Sequence, residues 1–150
     1  MRTVNLAFAT PDVRPAEAFA RLSDFPRYPT MTDTVHEVTV HDAGEDGSML
    51  SSWTVQFRSG LLRWTERDVL DAAERTITFT QVDGDFHRFE GRWGVAEHSG
   101  VTAVTFDAEF DLGMASLEAL LDPIADRALT SNITVIVEGL MGHAEPIEAS

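Results

Sequence analysis

Glu66 and Asp68 stand two residues apart in the segment Leu61-Leu-Arg-Trp-Thr-Glu-Arg-Asp-Val-Leu70, whose composition suits a β-strand. On a strand that spacing puts both carboxylates on one face, with α-carbons about 6 to 7 Å apart. If the face is buried, desolvation and mutual repulsion raise the proton affinity of at least one of them, leaving an acid and a base side by side. An aldol cyclisation or a dehydration needs such a pair, because one group takes an α-proton while the other protonates a carbonyl or a leaving hydroxyl. The bland alternative is a strand of opposite phase, or carboxylates that merely pair with Arg on a neighbouring strand. His87 is the third candidate. It shares the inward phase with Trp93, and a histidine there can act as a base; its plainer role is a hydrogen-bonding residue at a rim.

Other chemistries are closed by composition. The 150 residues include no Cys, which removes disulfides, thiol nucleophiles and thiolate metal sites. All eleven basic residues are Arg, so no lysine amine is available for Schiff-base chemistry. His36 and His41 lie five apart on a strand, on opposite faces, and cannot chelate one ion. No metal and no cofactor is expected. The formal charge of −14 repels phosphate backbones and anionic lipid, which makes nucleic acid and bare membrane surfaces poor partners.

The elements that must position the carboxylates can be read in turn. Residues 2 to 9 form a first strand, and Pro15 opens a short helix in which Ala18, Phe19 and Leu22 share a face. Phe25-Pro-Arg-Tyr-Pro29 makes a second short helix or turn. From Thr34 onward, turn signals at 42–47, 59–60, 71–74, 83–84 and 97–100 separate six strands. Connections this short force an antiparallel meander. Asp83-Gly84 reads as a two-residue primed turn. A long helix follows from about Asp122, with Asp122 as cap and Pro123 in the first turn, to Met141. Its Leu129, Ile133, Ile136 and Leu140 recur at spacings of four and three and form an apolar stripe. Residues 142–150 are polar and read as a frayed tail.

Strand phase selects the inward residues. Val104, Phe106, Ala108, Phe110 and Leu112 alternate with polar partners, as do Ile77, Phe79 and Gln81, then His87, Phe89, Gly91 and Trp93, then Met49, Ser51, Trp53 and Val55. If Leu62 and Trp64 face in, Glu66 and Asp68 come with them. Trp53, Trp64, Gln81, Phe89, Trp93, Phe106 and Asn132 would line the concave face. Any single aromatic there is ordinary core, but Gln, Asn, His and two carboxylates in inward phases cost free energy unless paired, and together they argue for a cavity. A volume of at least a few hundred Å³ is expected. Arg63, Arg67, Arg88 and Arg92 read as a solvated outer face.

The order of strand, two short helices, six-strand meander and long C-terminal helix resembles the helix-grip fold of the START-like (SRPBCC) superfamily. Trp64-Thr-Glu-Arg-Asp68, Arg75-Thr-Ile77, Asp83-Gly-Asp-Phe86, Gly91-Arg-Trp93, the Phe25 to Pro29 turn and Asn132 are similar to its polyketide cyclase/aromatase and coenzyme Q-binding-protein branch. The resemblance implies an α+β fold: a curved seven-stranded antiparallel sheet wrapped around the C-terminal helix, with two short helices between strands 1 and 2. It also implies a deep cavity whose substrate-binding residues include Tyr28. Aromatases of this kind carry a cavity Arg and a Tyr at places occupied here by Asp68 and Val35, so the usual regiochemistry is not implied.

The expected protein is one cytoplasmic domain over residues 1–150, without a membrane span or signal peptide, monomeric or homodimeric. Its expected function is that of a cofactor-independent cyclase, aromatase or dehydratase acting on a polyketide-like polycarbonyl chain, with an acyl carrier protein as the candidate partner that delivers it. The alternative is a non-catalytic carrier of a hydrophobic metabolite such as a quinone, isoprenoid or lipid.

Overall fold

A computed structural model of the chain describes residues 2–43, 48–57, 60–113 and 118–148. Strand β1 (Arg2–Ala9) leads into α1 (Pro15–Ser23), a 3-10 turn (Phe25–Arg27) and α2 (Tyr28–Met31). Six strands follow: β2 (Val35–Ala43), β3 (Ser48–Phe57), β4 (Gly60–Asp71), β5 (Thr76–Gly84), β6 (Arg88–His98) and β7 (Val101–Asp111). Helix α3 (Glu118–Met141) and a short β8 (Glu145–Ile147) complete the order. The expected turns at 42–47 and 59–60 fall in part on residues 44–47 and 58–59, which lie outside the described residues.

All the strands belong to one curved antiparallel sheet in the order β2-β3-β4-β5-β6-β7-β1-β8. Strands β2 to β7 are the predicted meander. Strand β1 returns beside β7, in register from Arg2 opposite Phe110 to Ala9 opposite Ala103. The alternation of β7 appears as burial: Val104, Phe106, Ala108 and Phe110 are buried, whereas Glu109 is exposed. Those residues form one core with Ile133, Ile136, Val137 and Leu140 of α3 and with Ala18 and Leu22 of α1. Arg21 ties the two helices together, donating to the Leu140 carbonyl at 2.9 Å and pairing with Glu17 one turn back. That places a cation at the negative end of the α3 dipole.

Several details differ from the sequence reading. Among the described residues the sheet has eight strands rather than seven, because residues read as a frayed tail form β8 and pair with β1 (Ala7 opposite Ile147). A three-residue strand carries too little periodic signal to separate from a polar end. Helix α3 is already helical at Glu118, so Asp122 does not cap it and Pro123 lies inside it. Proline in the interior forfeits one hydrogen bond, to the carbonyl four residues earlier, and a helix of 24 residues continues through that loss.

Asp83-Gly84 is not a primed turn. Both residues still pair with β4, opposite Thr65 and Trp64, and the chain reverses over 85–87. Gly84 is needed for a different reason: at φ 149°, a Cβ there would meet Trp64 Cβ at 2.4 Å. Strand β2 has register shifts between Val35 and Glu37 and between Val40 and Ala43. With these the simple alternation fails, and His36 and His41 are both exposed.

Candidate functional site

Strand β4 turns Leu62, Trp64, Glu66 and Asp68 toward α3 and exposes Arg63 and Arg67. Both carboxyl groups are thereby buried, Glu66 at 5% and Asp68 at 0% exposure. No Arg, Lys or His among the described residues lines the cavity beside them. A hydrogen-bonded chain takes the place of a cation. The Trp53 indole N–H donates to Ser51 Oγ at 2.8 Å, the Ser51 hydroxyl donates to Asp68 Oδ2 at 2.5 Å, and the Trp64 indole N–H donates to Glu66 Oε1 at 2.8 Å. An indole N–H can only donate, so the Ser51 oxygen must accept from Trp53 and its one hydrogen is committed to Asp68.

Among the described residues, Asp68 Oδ1 is the one buried side-chain polar atom without a hydrogen-bond partner. Glu66 stands two residues from Asp68 on the same buried side of β4, where two carboxylate charges repel. Burial pushes the Glu66 carboxyl well above the usual carboxylate range, the neighbouring Asp68 pushes it further, and the Trp64 N–H opposes both. Burial also raises Asp68, but the neighbouring Glu66 and the Ser51 hydroxyl work in the other direction. Glu66 is therefore the carboxyl held protonated, and Asp68 the one that ionises first.

The raised carboxyl makes stability depend on pH. Its unfolded counterpart ionises near pH 4.3, so above that the folded state binds more protons than the unfolded one. The stability from the Glu66 proton is thus complete below that range and is lost as pH rises through the raised value. Glu66→Gln keeps a donor toward Asp68 and cannot ionise. Thermal melts from pH 4 to 8 are expected to show the variant's midpoint falling less steeply than that of the wild type; parallel curves would show that Glu66 does not carry the proton.

Around this pair, rings fill the concave face. Tyr28 meets Trp53 at 5.3 Å edge to face, Trp53 and Trp64 stack at 6.1 Å, Trp64 meets Phe89 at 5.4 Å, and Phe79 and Phe106 continue the contacts to Trp93. The Tyr28 hydroxyl donates to the Leu22 carbonyl at 2.7 Å, and burial, with the charges of Glu66 and Asp68, pushes it well above the usual phenol range. It is therefore held as a neutral phenol. Asn132 donates from Nδ2 to the Gln56 carbonyl at 3.3 Å, bridging α3 to β3.

The cavity between sheet and helix is lined by Tyr28, Trp53, Trp64, Glu66, Phe89, Trp93, Phe106 and Asn132, together with Val35, Phe79 and Ile133. Its volume is about 70 Å³, well short of the few hundred expected, because the rings themselves occupy the space. A second void of about 30 Å³ adjoins it.

Three predicted site residues lie off the cavity wall. His87 is exposed, in the turn before β6, so the inward phase counted through Phe89 and Trp93 does not extend to it. Gln81 is outside the cavity lining and braces the 85–87 turn, with Nε2 to the Phe86 carbonyl at 2.8 Å and Oε1 accepting from the Phe86 N–H at 3.3 Å. Asp68 lies behind Glu66 and not on the cavity wall. Ser51 was visible only as one of the inward residues of β3. Its role follows from register, since it sits opposite Glu66 and diagonal to Asp68.

The chain matches the family described as polyketide cyclase / dehydrase and lipid transport over residues 11–135. No curated protein matches the sequence. Among solved structures, TTHA0849 from Thermus thermophilus superposes with TM-score 0.80 at 19% identity, covering 94% of this chain and 98% of that one. The Zhui aromatase/cyclase from Streptomyces sp. R1128 gives 0.75 at 17%, covering 94% and 92%. A START superfamily protein from Mycobacterium smegmatis gives 0.69 at 18%, covering 93% and 94%. Identities this low mark a shared architecture, the helix-grip fold, and not a shared substrate. Among the described residues, no helix is long and apolar enough to cross a membrane. With the family matched from the approach to α1 to the middle of α3 and the sheet gripping that helix, the chain belongs to the polyketide cyclase / dehydrase and lipid transport family.

Proposed function

We propose that the protein is a cofactor-independent acid–base enzyme of the cyclase or dehydratase type, acting on a polyketide-like or aromatic substrate held between the sheet and α3. The observation that carries this reading is a pair of carboxyl groups, Glu66 and Asp68, buried on one side of β4 beside a cavity whose lining holds no cation. A buried carboxyl pair is a poor structural device, since its desolvation exceeds what two hydrogen bonds return. It is a good catalytic one. Glu66 reaches the cavity as the acid: its proton passes to a departing hydroxyl, which leaves as water, and the carboxylate so formed takes the substrate's α-proton as the double bond forms, which restores the acid. Asp68 stays the neighbouring anion that favours the protonated form of Glu66.

The family's own description names cyclases and dehydrases alongside lipid transport, and the aromatase/cyclase named above shares the fold. In this reading residues 1–150 act as one cytoplasmic domain, as monomer or homodimer. Delivery by an acyl carrier protein would have to overcome the net charge of −14 through a local Arg patch, because such carriers are acidic.

A second reading has an observation of its own: Ser51, itself held by Trp53, and Trp64 each donate to one carboxyl oxygen from within the protein, which also suits a carrier of a hydrophobic metabolite. Incubation with a linear poly-β-ketone thioester, followed by mass spectrometry for loss of water and by absorbance for new aromatic rings, separates the two. Ring formation above the uncatalysed rate is expected. Binding without acceleration would assign the protein to the carriers.

A further inference from the structure

Trp64 divides the interior. The voids of about 70 and 30 Å³ share five wall residues: Val55, Trp64, Phe89, Leu129 and Asn132. Val55 and Phe89 are buried, and Asn132 is tied to the β3 backbone at Gln56. Trp64 is half-buried, and its indole is held at the polar end by one hydrogen bond, to Glu66 Oε1 at 2.8 Å. Neither void admits a ring, for even benzene occupies an apolar cavity of about 150 Å³. Moving the indole joins the voids and frees its own volume as well. It also strips Glu66 Oε1 of its donor, and a buried carboxyl oxygen left without one costs enough to disfavour any ligand that does not replace it.

Resting on the reading of this cavity as the binding site, we propose that Trp64 is an internal stand-in for the ligand. Its indole turns aside on binding, and the ligand is a planar aromatic that brings its own hydroxyl or N–H donor to Glu66 Oε1. The indole shows the complement the site accepts, a flat apolar ring with one donor on its edge, stacked beside Trp53 and edge-on to Phe89. A ring whose only polar atoms are acceptors leaves Glu66 unpaired and is discriminated against, as sites built around a buried polar group reject analogues that lack its partner.

The test uses 2-naphthol and 2-methoxynaphthalene, which differ in the donor. The three Trp indole N–H signals are followed by ¹⁵N NMR, with Trp64 assigned from Trp64→Phe. In the wild type, 2-naphthol is expected to bind at least tenfold tighter than its methyl ether, and the Trp64 signal to shift or exchange with water as the site fills. Trp64→Ala, which removes the occupant, is expected to bind 2-naphthol at least tenfold tighter than the wild type and to keep the preference. Equal affinity for the two compounds, an unmoved Trp64 signal at saturation, or no binding by either protein would each overturn the proposal. Should the alanine variant fail to fold, the wild-type titration decides alone. The enzymatic reading fails separately: donor-selective binding without ring formation removes the catalyst and leaves the ligand class standing.

Discussion

Glu66→Gln and Asp68→Asn are each expected to lower turnover of a ring-forming substrate by about a hundredfold or more, the usual worth of general acid–base catalysis. The ligand's Kd should hardly change. Gln keeps the acceptor for the Trp64 N–H and adds an N–H toward Asp68, so packing and hydrogen bonding survive while proton transfer does not. Asn removes the anion that favours the protonated form of Glu66, yet retains an acceptor for Ser51. Single-turnover rates beside equilibrium binding distinguish the cases. A carrier would show unchanged function in both variants, or a loss that tracks Kd alone. Wild-type turnover in both would refute the carboxylate mechanism, and the exposed position of His87 means that it is no second base inside the cavity to fall back on.

Phe106→Ala is expected to lower folding stability by about 3 to 5 kcal/mol, as for other buried aromatics. Phe106 is 2% exposed, stacks on Phe79 at 5.7 Å and meets Trp93 at 4.8 Å, so truncation removes ring contacts on two sides as well as apolar burial. Domains of this size have about 5 to 15 kcal/mol in all. The loss is therefore a large fraction of the total, and urea denaturation would read it as a lower midpoint at unchanged slope. A change below about 1 kcal/mol would mean that the neighbouring rings collapse into the gap, and that the aromatic lining is far softer than its contacts suggest.

The β-strands were legible because each alternates with period two over many residues. Strand β7 carries its whole inward set in one run, and Trp64, Glu66 and Asp68 share a face once Leu62 points in. The acid pair was therefore visible as a pair. What the sequence withheld lies between strands. Ser51 is an ordinary small residue until register sets it across from Glu66, and register depends on turn lengths that local preference does not decide. His87 was misplaced because a phase was carried one residue beyond the start of β6, into a turn where alternation ends. Gly84 looked like a turn residue when the demand on it was steric, from Trp64 on the adjacent strand. The small volume of the cavity was hidden for a related reason: inward aromatics argue equally for a lined space and for a filled one, and only their mutual contacts tell which.

The placement of β1 has a consequence for how the chain is made. Its partner β7 lies about a hundred residues downstream, with Arg2 opposite Phe110, so the first of these strands to be synthesised is among the last of them to be paired. At about 5 to 20 residues per second, β1 waits roughly 5 to 20 seconds with its edge unmatched. Contacts of such long range also make refolding slow, in the range of milliseconds to seconds, since loop closure must precede the reward of pairing. The nascent chain thus carries an unpaired strand while the residues between β1 and β7 are made, a stretch in which it is open to chaperones and to self-association.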